Sequence, residues 1–70
     1  MRRPDELALF ATLRPLTGTL PAMVEAERLG IHPGRVMRIL EKWESRGWLG
    51  CGVSIRVPWW TDSAPTTLAP

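Results

Sequence analysis

The 70-residue sequence predicts a mostly helical domain closed by a small antiparallel β ribbon. Three observations predict it. Val36, Ile39, Leu40 and Trp43 recur at the i, i+3, i+4, i+7 spacing that lines one face of a helix. Two earlier stretches carry apolar residues at helical intervals and stop at helix breakers, the first before Pro15 and the second at Gly30. After Gly47 the helical period gives way to alternation, with Ile55, Val57 and Trp59 interleaved with Arg56, Pro58 and Trp60.

The first helix is expected to begin near Asp5, where Pro4 and two acidic residues suit a helix start. Its inward stripe is read as Leu7, Phe10 and Ala11, then Leu13 or Arg14. Residues 1–4 are expected to form a flexible arm. Pro15 to Leu20 is punctuated by Pro and Gly and cannot prolong the helix. Pro21 opens a second helix to about Leu29, with Met23, Ala26 and either Leu29 or Val24 inward, while Glu25, Glu27 and Arg28 form a solvated face.

The third helix is expected from Pro33 to Arg46, roughly 20 Å at 1.5 Å per residue. Pro33 fits the first turn because its missing N–H is no loss there, His32 or the turn before it supplies the cap, and Gly47 ends the helix. Away from the apolar face fall Gly34, Arg35, Arg38 and Lys42, with Met37 and Glu41 at the margins. The ribbon is read as one strand through Trp48, Leu49 and Cys51 and another through Ile55, Val57 and Trp59, joined across Gly52-Val53-Ser54. Pro58 lacks a ladder donor, so the second strand is an edge or ends there. Trp43 and Trp48 are assigned to the core beside Phe10 and Leu40. Alternation sends Trp59 and Trp60 to opposite faces, leaving one ring exposed; the pair either closes the domain against the first helix, forms a homodimer contact or docks a protein partner. Residues 62–70, rich in Pro, Thr and Ala, are expected to be a disordered tail, leaving residues 5–61 as the folded domain.

A chain this short has room for one core. The single Cys51 cannot form an internal disulfide, and with His32 as the lone imidazole there is no zinc-ligand set; no catalytic residues, metal or cofactor are expected, no small-molecule site is evident, and the chain is read as not an enzyme. No apolar run approaches the roughly 20 residues of a membrane span, so a soluble, cytoplasmic, nucleoid-associated protein is expected. The net charge is +2. Its distribution says more: residues 1–31 balance four Arg against four acids, whereas residues 32–56 set Arg35, Arg38, Lys42, Arg46 and Arg56 against Glu41 and Glu44.

The run Leu29-Gly30-Ile31, His32-Pro33, Val36, Leu40, Trp43 and Gly47-Trp48-Leu49 resembles the winged helix-turn-helix family of DNA-binding domains, over about Glu6 to Thr61. Two positions depart from that pattern: Glu25 stands where the second helix usually has a core leucine, and Trp43 replaces a usual leucine. The resemblance implies three helices with a two- or three-stranded sheet, a short strand at Gly18 to Leu20 being the third, and the third helix set in the major groove of duplex DNA. Arg35 and Arg38 are then expected to read bases or clamp phosphates, His32 and Gly34 to allow close approach, and Lys42, Arg46 and Arg56 to touch the backbone. Arg2 and Arg3 are a solvated terminus or a short basic arm to phosphate or minor groove. The expected role is a small transcriptional regulator or an accessory protein of the phage or plasmid type, acting as a homodimer or with a protein partner. The alternative is a protein-interaction module of the same fold that uses Trp59 and Trp60 and leaves DNA alone.

Overall fold

A computed structural model describes residues 3–69. Three helices, α1 (Arg3–Leu13), α2 (Ala22–Arg28) and α3 (Pro33–Ser45), precede two short strands, β1 (Leu49–Gly50) and β2 (Trp59–Trp60). The strands pair antiparallel, Leu49 opposite Trp60 and Gly50 opposite Trp59. The described residues are mostly helical with one small two-stranded sheet, in agreement with the expected class.

The third helix follows its sequence pattern closely. Val36, Ile39, Leu40 and Trp43 are its buried residues, His32 occupies the cap with Pro33 as first helical residue, and the His32 Nδ1 accepts the Gly34 N–H at 3.0 Å. At the other end Gly47 turns left-handed at φ 80°, letting the Gly47 and Trp48 N–H groups bond back to the Glu44 and Trp43 carbonyls. The end of α2 repeats this device. Gly30 has φ 74°, the Gly30 N–H donates to Glu27, and the Ile31 N–H donates to Ala26 at 2.9 Å, which carries Ile31 into the core beside the turn. Only Leu29 to His32 separate α2 from α3.

The first two helices differ from expectation in the face they bury. In α1 the interior positions are Glu6, Leu9, Phe10 and Leu13, again at i, i+3, i+4, i+7, while Leu7 is half-buried and Ala11 exposed. The stripe is displaced by one position because its first member is a carboxylate, which apolar periodicity passes over. The helix also starts at Arg3 rather than Asp5, so Arg3 and Pro4 belong to it, and Arg2 lies outside the described residues. In α2 the interior residues are Ala22 and Ala26 with Met23 half-buried; Val24 and Leu29 are exposed. Two alanines allow this seven-residue helix to pack against both α1 and α3.

The ribbon is shorter than expected. Residues 51–58 form a loop rather than a strand-turn-strand, with the Ser54 carbonyl taking the Val57 N–H and the Ser54 Oγ taking the Arg56 N–H. Pro58, buried, has no N–H for a ladder, and its carbonyl instead accepts the Leu20 N–H at 2.7 Å. That bond is what the third strand implied at Gly18 to Leu20 amounts to; no strand forms there. Residues 62–69 hold no regular element but lie against the domain, because Arg14 Nε donates to the Pro65 carbonyl at 2.7 Å and Leu68 packs on the core. Among the described residues no helix is long and apolar enough to cross a membrane.

Candidate functional site

Because its apolar rear is sealed, α3 displays its remaining side chains on two flanks and one outward face. At 100° per residue, Gly34, Arg38, Glu41 and Ser45 share the outward face, and all four are exposed. The Arg38 side chain has no ion pair or hydrogen bond among the described residues. Arg35 and Lys42, expected beside it, stand instead on the flank turned to α1. Arg35 Nη1 meets Asp5 Oδ2 at 2.6 Å, and Lys42 Nζ lies 3.1 Å from both oxygens of Glu6. This corrects the reading of α3 as a face of free cations: helical spacing puts residues seven apart on one side but does not say which neighbour that side meets.

Glu6 is 1% exposed, and its carboxylate also accepts the Trp43 indole N–H at 3.0 Å. A carboxylate in such a place is tolerable only with counter-charge and donors, and Lys42 with Trp43 supply both. Sequence reasoning missed Glu6 and Asp5 as site residues. The available signal was Glu6 itself, which stands three and four positions before Leu9 and Phe10 and so on their face.

The other expected contacts are dispersed. His32, with Nδ1 committed to the helix cap, carries its proton on Nε2 when neutral. Gly34 is explained by that ring: a Cβ there would stand 3.2 Å from His32 Nδ1, so the glycine leaves room for the cap. Arg46, at the C-cap of α3, lays its guanidinium over Trp48 with Cζ 5.2 Å from the ring centroid. Arg56 is exposed and helps line an apolar groove of about 340 Å³ with Leu20, Pro21, Met23, Val24 and Val57, beside the start of α2.

The tandem tryptophans divide as alternation requires. Trp60 turns inward, its centroid 5.4 Å from Phe10 and 5.6 Å from Trp43, its Nε1 donating to the Leu13 carbonyl at 2.9 Å and Arg14 above it at 5.3 Å. It closes the domain against α1 and is not available as a partner surface. Trp59 is 42% exposed and lies across Gly50, where any side chain would collide with the indole. Cys51 Sγ donates to Glu44 Oε2 at 3.1 Å, and that hydrogen bond, with desolvation and the carboxylate's charge, pushes the thiol above its ordinary value. Among the described residues no group of three or more His, Cys, Asp or Glu side chains is placed to hold a metal ion.

Compared with known proteins, the chain matches no family model, no curated protein and no solved structure.

Proposed function

We propose that this chain is a winged helix-turn-helix module that binds duplex DNA, with α3 entering the major groove and the 51–58 loop serving as the wing. The observation that carries this reading is Arg38, a guanidinium with no carboxylate partner among the described residues, central on the outward face of a helix whose rear is buried. Gly34 beside it offers bare backbone, and the four-residue connection to α2 is the length that helix-turn-helix units use. Arg38 reads a base edge or clamps a phosphate, while Arg46 and Arg56, also exposed and without carboxylate partners among the described residues, contact the backbone. Three such cations give modest affinity, so a regulator or phage- or plasmid-type accessory protein built this way acts through paired copies on two half-sites or with a partner protein.

Fluorescence anisotropy with a random-sequence duplex, followed by selection of retained fragments, tests this. Binding in dilute buffer with a salt slope of about −2 to −3 is expected. Arg38→Ala should weaken it roughly five- to 150-fold, the equivalent of the roughly 1–3 kcal/mol of a bidentate base contact. Absence of binding at low salt, or an unaltered affinity in Arg38→Ala, would overturn the reading.

A second reading rests on the exposed Trp59 and on the apolar groove lined by Val24 and Val57, which would hold a protein partner. Association through it would be almost independent of salt and lost in Trp59→Ala.

A further inference from the structure

We infer that Asp5 is a built-in competitor for phosphate at Arg35, so that α1 sets the strength with which α3 holds a duplex; this rests on the duplex-binding reading above. Within α3, Arg35, Arg38 and Lys42 outnumber Glu41 and Glu44. Adding the partners that α1 brings to its flank, Asp5 and Glu6, reverses the sign of that balance. A helix meant to meet a polyanion therefore carries its own anions.

The two pairs are not equivalent. Glu6 is sealed in the core and bonded to Trp43, so drawing Lys42 off to a phosphate would strip a counter-charge from a buried carboxylate, a cost that Arg35 does not face. The Asp5 and Arg35 side chains are 25% and 36% exposed, and their recorded contact runs through one guanidinium nitrogen, leaving the rest of the fork uncommitted. A phosphate oxygen is the same kind of acceptor and pairs with guanidinium in the same fork geometry. It can displace Asp5 at the surface, but the carboxylate stays beside the contact and repels the incoming charge. Arg35 thus counts as a phosphate contact only to the extent that Asp5 lets go.

A mutant cycle of wild type, Asp5→Asn, Arg35→Ala and the double variant, titrated with one duplex from about 0.05 to 0.3 M salt, tests this. Asp5→Asn should tighten binding roughly five- to tenfold near 0.1 M and steepen the salt slope by about 0.9, one phosphate's worth. In the Arg35→Ala background the same change should leave the slope unaltered. Tryptophan emission and a thermal melt check the fold of each variant, and Asp5→Ser, which removes the charge with a smaller side chain, replaces Asp5→Asn if the latter melts early. Weaker binding in Asp5→Asn would make Asp5 a support for Arg35 and overturn the inference. So would a slope change that persists without Arg35. If the wild type binds in an Arg38-dependent way while Asp5→Asn changes nothing, the inference alone fails; if no variant binds at low salt, the duplex-binding reading fails and takes it down.

Discussion

The indole N–H of Trp43 donates to the Glu6 carboxylate at 3.0 Å, tying the largest buried side chain of α3 to the one buried charge recorded on α1. Lys42 precedes Trp43 in the chain and sits about 100° around the helix, so adjacent residues reach the same carboxylate, one from inside the core and one from its rim. The α1–α3 interface is thereby fixed by a polar bond as well as by apolar packing, which holds α3 in one rotation about its axis.

Removing one partner of this pair should be costly. Lys42→Ala takes a counter-charge away from the buried carboxylate and should lower the unfolding free energy by about 2–3 kcal/mol, below the full range for buried pairs because Trp43 still donates. Replacing the ion pair by Glu6→Gln with Lys42→Met, which keeps an acceptor for the buried Trp43 N–H, should recover most of the loss. Urea melts read by tryptophan emission measure both, and a Lys42→Ala loss under roughly 0.5 kcal/mol would class the pair with ordinary surface ion pairs.

His32 and Gly34 should be coupled. His32→Ala removes the cap and should cost about 1 kcal/mol. Gly34→Ala gains helix propensity, up to roughly 1 kcal/mol, but its methyl presses on the His32 ring, so the gain should appear mainly in the His32→Ala background. Thermal melts of the four proteins give the coupling; simple additivity would show that the ring moves aside freely.

The two neighbouring tryptophans should respond in opposite ways. Trp60→Ala deletes a ring packed on Phe10 and Trp43 and should destabilise the fold by roughly 3 kcal/mol. Trp59→Ala removes a ring that is 42% exposed and packs on the Gly50 backbone, and should change stability less. Equal losses of melting temperature would contradict the inward and outward assignment.

Cys51 should be a slow nucleophile while the chain is folded. Its thiol holds its proton more tightly beside Glu44 than in the unfolded chain, so whatever stability this contact contributes is present below the unfolded thiol's value and is lost as pH rises through the raised folded one. Alkylation by iodoacetamide near pH 8.5 should be slower in the native protein than in urea, and Glu44→Ala should accelerate it in the native state. A Glu44→Ala rate no faster than wild type would remove the carboxylate as the cause.

What could be read from residue order is local. The extent of α3, its inward quartet Val36, Ile39, Leu40 and Trp43, and the stops at Gly30 and Gly47 follow from a 3.6-residue period and from chain ends that need a left-handed residue. The same logic anticipated that Trp59 and Trp60 part company. It did not say which one enters the core, how short the ribbon becomes, or which cations stay free. Those outcomes hang on residues far apart in the chain: Asp5 reaches Arg35 across 30 positions, Glu6 reaches Trp43 across 37, and Trp60 reaches Leu13 across 47. A carboxylate looks like surface until a lysine and an indole from another helix make its burial tolerable, and a helical arginine looks free until the neighbouring helix sets an acid against it. Periodicity gives α3 its inward side but misplaces those of α1 and α2, and packing chooses the partners on the flanks of α3, which leaves Arg38 open and Arg35 held.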